Sequence, residues 1–534
     1  MLNKTTLLKL SALLLLGVGF IWILQMPKDQ PSSISEAPES VTPAVESEIV
    51  ELADGDVFEL TAEVISKELY GQTVTMLGYN NSIPGPTIKV KQNSTVTIHF
   101  TNNTPFENTI HSHGVRMDNA YDGVPDMTQK AVQPGESFDY ILTFPDPGTY
   151  WYHPHVREDM TQEMGLYGAF VVEPAEEDYW NPVNREEVIF LDDLLFGTNG
   201  LETFYENTIT HSLMGRYGNE MFINGEEGYE LEVNQNETVR FTLVDAANAR
   251  PFNIAIDGVQ LKLVGSDGGA YEKEAFVGSL IIGPSERYIF EAYFDEPGEY
   301  ALQNVTPNGT TNLGTITVLE ESTTTDFTKE AFENLKENTR IQDELPELTS
   351  YYEKESDKNL RLNIEIDGMG GRMMGHGMSG MPCHQMGDGS WMGDCDEEAG
   401  EFSGIEWEDT MGMMNAMLSD DVVNWQIIDT ETGAVNDEID WDFELGDNVL
   451  IEIENDEDSD HPMQHPIHFH GQRFLVLDEN GVPNENLVWK DTVLIPTGDT
   501  IKILLEVSNP GMWMAHCHIA EHLHNGMMFD FKVN

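Results

Sequence analysis

Cysteine is scarce: Cys383, Cys395 and Cys517 are the only three in a chain of 534 residues. That excludes a disulfide-stapled scaffold, which is small and cysteine-dense. Cys383 and Cys395 could pair or bind metal, and the sequence leaves both readings open. Basic residues are scarce as well, 27 Lys and Arg against 94 Asp and Glu, for a formal net charge of −67. A nucleic-acid partner is excluded, because phosphate binding needs a basic surface. The acidity reads first as solubility or adaptation to high salt, and second as a field that gathers cations. Long apolar runs are missing apart from Leu10 to Leu24, which is broken only by Ser11. Fifteen residues are short for a membrane span and suit the core of an export signal. Lys4 and Lys9 precede the run, no Ala-x-Ala cleavage site follows it, and a twin-Arg pair is absent. Residues 1–26 are therefore expected to be a signal peptide or a retained membrane anchor, and the chain to work outside the cytoplasm. Any membrane contact is expected through this segment alone, and the protein is expected to be a monomer.

Residues 27–51 are rich in Pro, Ser and Glu and read as a disordered acidic linker. Beyond them one pattern occurs three times. The first copy runs from Ile83-Pro84-Gly85-Pro86 through Val96-Thr97-Ile98 to Ile110-His111-Ser112-His113-Gly114, and closes on Pro147-Gly148-Thr149-Tyr150-Trp151-Tyr152-His153. The second runs from Ile223-Asn224-Gly225 through Val239-Arg240-Phe241 to Ile254-Ala255-Ile256-Asp257-Gly258, and closes on Pro297-Gly298-Glu299-Tyr300. The third runs from Gly446-Asp447-Asn448-Val449 to Ile467-His468-Phe469-His470-Gly471, and closes on Pro510-Gly511-Met512-Trp513-Met514-Ala515-His516. Short strands of period two between Gly, Pro and Asn turns predict all-β sandwiches. Three are expected, over residues 52–175, 176–320 and 360–534, with a partly helical linker at 321–359.

Aligned, the copies locate the chemistry. The first offers His111, His113, His153 and His155; the third offers His468, His470, His516 and His518; the second has Ala255, Asp257, Gln303 and Val305 in their places. A lone His is usually a core or surface residue without metal. Eight in four His-x-His pairs are another matter, since each pair presents both rings on one strand face. Zinc suits them poorly, because eight imidazoles exceed a tetrahedral site. Cys517 lies between His516 and His518, and His522 and Met527 follow. A thiolate, an imidazole and a weak thioether suit a His2Cys copper site that takes one more His from elsewhere. His516 and His518 then serve a second metal site beside the first, an arrangement for electron transfer.

Four motifs in order now resemble those of the multicopper oxidases, a family that includes laccases and cuprous oxidases. They are His111-Ser112-His113-Gly114, His153-Pro154-His155, His465-Pro466-Ile467-His468-Phe469-His470-Gly471, and His516-Cys517-His518 with His522 and Met527. The resemblance covers nearly all of residues 52–534. It implies three cupredoxin-like Greek-key domains in tandem and four copper ions. His465, Cys517, His522 and axial Met527 resemble the type 1 ligands, and His111 and His468 the type 2 pair. His113, His153, His155, His470, His516 and His518 resemble the ligands of two type 3 coppers. Electrons taken one at a time at type 1 would pass through Cys517 to His516 and His518, and four would reduce dioxygen to water. Asp122, in Tyr121-Asp122-Gly123, matches the family's acid near the cluster. Some bacterial relatives carry Glu directly after the last type 1 His; Leu523 stands there, so the proton donor is left open.

Residues 369–417 hold eleven of the 25 methionines, among them Met373, Met374, Met378, Met381 and Met386. A Gly-rich acidic stretch makes poor core material, whereas thioethers select Cu(I). A similar insert marks cuprous oxidases of copper tolerance, and Met463 resembles a substrate-copper ligand there, although His461 replaces the Asp of that group. The favoured substrate is Cu(I). A general laccase acting on phenols is the alternative enzyme, and an extracytoplasmic copper-sequestering protein the alternative of another class. Copper nitrite reductase is disfavoured by the full set of type 3 histidines.

Overall fold

The alternating apolar residues of each repeat build paired sheets, and the computed structural model shows three such pairs. It describes residues 41–198, 200–204, 208–322, 329–366, 404–409 and 422–534, together with the short strands His384–Gln385 and Trp391–Met392. In the first sandwich one sheet holds, in order, Thr42–Pro43, Val57–Leu69, Thr95–Asn102 and Ser137–Thr143, with Gln72–Tyr79 also paired to Val57–Leu69. Its second sheet runs Ile49–Leu52, Thr87–Lys91, Gly168–Glu173, Gly148–His153, His111–His113. The other two sandwiches each pair a six-stranded with a five-stranded sheet. Sheet neighbours are seldom consecutive in sequence, so the chain keeps crossing between sheets in Greek-key fashion.

Four strands and three short helices position the site. Strand β1 is His111–His113 and β2 is Gly148–His153. Helix α1 is Glu158–Thr161, and α2, in the second sandwich, is Thr208–Met214. Strand β3 is His465–Phe469, β4 is Gly511–Cys517, and α3 is Ala520–His524. In the first sandwich His111 lies opposite His153 across β1 and β2. In the third, His468 lies opposite His516 across β3 and β4. In the second, Ala255 lies opposite Gln303. The register thus makes the three copies equivalent and shows the ligand positions of the middle one filled by non-ligating side chains. Alternation does the rest. Ile467, Phe469, Trp513, Ala515 and Cys517 point into the third core with Met463 and Met527, so His468 and His516 take the opposite face.

Some expectations need correction. Residues 27–51 are not wholly a disordered linker, because Thr42–Pro43 pairs in parallel with Ile65–Ser66, and Ile49–Leu52 with Thr87–Val90. These edge strands gain backbone hydrogen bonds while burying little side-chain surface, so composition gave no sign of them. The connector after the second sandwich is folded onto the third: Ile341, Leu345, Leu348 and Tyr351 share a core with Leu450, Leu475, Trp489 and Leu504. Within the Met-rich insert, residues 404–409 are packed rather than loose. Trp407 is buried, its carbonyl accepts from Arg250 Nη1 at 2.8 Å, and the Glu406 carbonyl accepts from Tyr217 at 2.8 Å. The signal or anchor segment 1–26, Cys383, Cys395 and Met373, Met374, Met378, Met381 and Met386 lie outside the described residues.

Candidate metal centre

Eight imidazoles converge between the first and third sandwiches, all of them buried. Their ligating atoms fall into close groups: His113, His153 and His518; His155, His470 and His516; and His111 with His468 and His113. The backbone and a few acids fix which nitrogen of each ring is free. The Nδ1 atoms of His111 and His468 lie 2.8 Å from the carbonyls of Asp122 and Asp491. Those of His153 and His516 lie 2.8 Å from the carbonyls of Pro154 and Cys517. His470 Nδ1 faces Asp122 Oδ2 at 3.0 Å, and His155 Nδ1 faces Glu158 Oε1 at 2.8 Å. Each of these rings donates from Nδ1 and keeps a lone pair on Nε2. His113 is reversed: its Nε2 lies 2.8 Å from Thr492 Oγ1, so Nδ1 is the free atom.

The free nitrogens have no partner of their own. Nε2 of His111, His153, His155, His468 and His518, and Nδ1 of His113, are buried without a hydrogen bond among the described residues. Nε2 of His470 and of His516 face each other at 3.0 Å. Buried polar atoms are rarely left unpaired, since each costs about 1–3 kcal/mol. Burial, reinforced by neighbouring imidazoles, holds His113, His153, His468 and His516 well below the ordinary histidine range, so they are neutral ligands at pH 7. Neutral lone pairs aimed at common points fit metal cations.

A second group sits inside the third core. Cys517 Sγ lies 3.5 Å from His465 Nδ1 and 3.7 Å from His522 Nδ1, and the two nitrogens are 3.3 Å apart. His522 Nε2 lies 3.2 Å from the Leu213 carbonyl on α2, which leaves Nδ1 free. Trp425 stacks on His522 with ring centroids 4.0 Å apart and meets His465 edge-on at 4.9 Å. Met527 is fully buried beside this group, and its carbonyl accepts from the Cys517 amide at 3.1 Å. Burial pushes the Cys517 thiol up, so its thiolate needs a bound cation. A sulfur and two imidazoles in a triangle match the trigonal His2Cys donor set of copper.

Three family models, each described as multicopper oxidase, match residues 62–177, 188–324 and 407–534. The chain belongs to the multicopper oxidase family. It is an oxidoreductase with dioxygen as acceptor, and copper is its cofactor. Multicopper oxidase mco of Staphylococcus aureus is 26% identical over 487 residues, covering 89% of this chain and 88% of that one. Copper resistance protein A of Escherichia coli is 22% identical over 600 residues, covering 90% and 93%. Among solved structures, a multicopper oxidase from Campylobacter jejuni described as a metallo-oxidase superposes with a TM-score of 0.63. It is 22% identical over 93% of this chain and 98% of that chain.

Around the donors of this multicopper oxidase stand residues that sequence reading did not single out. Glu158 follows His155 by three positions and was legible in principle. Asp491, Thr492, Leu213 and Trp425 are remote in sequence from the rings they touch and carry no motif. Asp122 does lie at the cluster, beside both His111 and His470. Leu523 packs against Val124 and Met514. Met463 is fully buried in the third core.

Proposed function

We propose that the oxidase holds four copper ions: type 1 on His465, Cys517, His522 and Met527; type 2 on His111 and His468; and two type 3 ions, one on His113, His153 and His518, the other on His155, His470 and His516. Copper bound there would supply one-electron oxidation of a reductant at the first centre and four-electron reduction of dioxygen to water at the second. The observation that carries this reading is the set of buried, unpartnered imidazole nitrogens gathered from two sandwiches. Cys517 joins the two centres, because His516 and His518 flank it in sequence and His516 Nδ1 bonds its carbonyl. Asp122 orients His470 through Oδ2 and His111 through its carbonyl. Leu523 cannot transfer a proton; the acids against the cluster rings are Asp122, Glu158 and Asp491. Metal analysis and absorption test the assignment. Four coppers per chain and an intense Cys-to-copper band are expected; fewer than four in a fully loaded, folded sample contradicts it.

The favoured reductant is Cu(I). Soft donors support this reading: eleven methionines in residues 369–417, and Met214 Sδ 3.2 Å from His461 Nε2. Trp425 touches both that pair and the type 1 ligands, its ring centroid 6.4 Å from His461 and 4.0 Å from His522. Two relatives are named for copper resistance and as a metallo-oxidase. Export through residues 1–26 would put the oxidase outside the cytoplasm, where metal ions are met. The test is oxygen uptake with Cu(I) and with a phenol, before and after deletion of residues 371–400, which spares the packed 404–409. Cu(I) turnover should fall and phenol turnover rise. Unchanged rates on both favour a general laccase, and no uptake with any reductant favours a sequestering protein.

A further inference from the structure

The middle sandwich supplies none of the eight imidazoles, yet one of its side chains reaches them. Arg287, in the strand Arg287–Phe294, is fully buried. Its Nη1 donates to Asp491 Oδ1 at 2.7 Å and its Nη2 to Asp491 Oδ2, a two-pronged grip on a residue of the third sandwich. Its Nε donates to the carbonyl of Thr149, on β2 of the first sandwich, at 2.9 Å. Nη1 also donates to the Ser285 carbonyl at 3.0 Å, within its own sandwich. One guanidinium therefore binds all three sandwiches.

Asp491 in turn holds two rings from different sandwiches. Its carbonyl accepts from His468 Nδ1. Its Oδ1 lies 3.0 Å from His113 Nε2 and accepts from the Thr492 hydroxyl at 3.0 Å. With its proton given to Asp491, Thr492 Oγ1 is left as an acceptor for His113 Nε2–H. That chain of donors makes His113 the one ring of the eight-histidine centre with an assigned partner to present Nδ1. The backbone is built around the pair. Gly114, directly after His113, has φ +81°, and a Cβ there would stand 2.2 Å from Asp491 Oδ2 and 2.8 Å from Arg287 Nη2. A carboxylate this deeply buried is costly unless paired in good geometry, and outer partners of this kind fix tautomer and ring orientation in metal sites.

We propose that Arg287 is a positioning residue for the eight-histidine centre, acting through Asp491 to set the tautomer of His113 and the placement of His468. The ligand-free sandwich thereby takes part in assembling the site. The proposal rests on the reading of this centre as a copper cluster. The geometry of the grip, more than its charge, is what matters, since an ammonium cannot engage both carboxylate oxygens in a plane.

The test uses the full chain carrying Arg287→Gln, Arg287→Lys or Asp491→Asn, loaded with copper beside the wild type. The type 1 absorption band reports folding of the third sandwich. Copper per chain and the electron paramagnetic resonance of the type 2 ion report the cluster. Expected for Arg287→Gln is a retained type 1 band, a copper count below four, altered type 2 resonance, and kcat lowered roughly 10–100-fold at unchanged KM for the reductant. Arg287→Lys should fall between it and the wild type. Unchanged copper content, resonance and kcat in Arg287→Gln overturn the proposal. If that variant loses the type 1 band, the same readouts on Arg287→Lys and Asp491→Asn decide, and normal values in both overturn it. A wild type that takes up no copper at the histidines refutes the cluster reading itself.

Discussion

Cys517 carries two opposed demands. It is buried among Ile467, Trp513 and Met527, which favours the neutral thiol, and it must be a thiolate to bind copper. Only a cation held by His465 and His522 reconciles them. Cys517→Ser should therefore abolish the intense absorption band and oxygen uptake together and lower the metal count from four coppers to three; survival of the band or the uptake would contradict the assignment. Asp122 is under the opposite tension. Burial pushes its carboxyl up, but His470 and His111 more than offset this and hold it below the usual carboxylate range. Asp122→Asn keeps the carbonyl that orients His111 and weakens the acceptor for His470. Turnover should drop roughly 10–100-fold with the type 1 band unchanged, as measured by steady-state oxygen uptake.

At the scale of elements, short pieces of chain do disproportionate work. Helix α3, five residues long, carries His522 and sets His524 3.1 Å from Asp159 and 3.4 Å from Glu158 on α1. It thus ties the type 1 site to the ring of His155. Residues 404–409 dock on Tyr217 and Arg250 of the second sandwich. Glu406 is the weak point of that contact: burial pushes its carboxyl up to about 7, and its Oε2 has no hydrogen-bond partner among the described residues. A carboxyl whose folded pKa is raised binds its proton more tightly when folded. Its contribution is fully present below the unfolded pKa near 4.5 and is lost as pH rises towards 7. The cost above pH 7 is at most about 3 kcal/mol. Glu406→Gln should raise the melting temperature at pH 8 and leave it nearly unchanged at pH 4; an equal effect at both would refute the burial argument.

For the molecule as a whole, charge is the dominant fact. A net charge of −67 repels itself across the surface. The Debye length falls from about 30 Å at 0.01 M salt to about 3 Å at 1 M, so this repulsion is screened by salt. Buried pairs such as Arg287 with Asp491 are barely touched by it. The melting temperature should therefore rise by several degrees between 10 mM and 1 M KCl in a scan at constant pH. A flat or falling curve would mean that attraction between surface charges outweighs their net repulsion.

Much of the site was legible in the sequence because its information is local. Two rings at i and i+2 share a strand face wherever the strand lies, so His111-Ser112-His113 and His516-Cys517-His518 announce both the paired imidazoles and the segregation of Cys517 to the other side. Repetition of the pattern around Ala255 and Gln303 showed which copy lacks ligands. The edge strand Ile49–Leu52 was not legible, because backbone pairing without side-chain burial leaves no compositional trace. Nor were Arg287, Asp491 and Leu213, which act across sandwich boundaries, nor Trp425, which reaches His465 and His522 from another strand of their own sandwich. By itself the sequence determined the fold class, through its period-two strands, and the paired histidines about Cys517, through their spacing; the family followed from the resemblance of those motifs. Tertiary structure alone decided which nitrogen His113, His470 and His522 present, because their partners Thr492, Asp122 and Leu213 are brought within hydrogen-bond reach from hundreds of residues away.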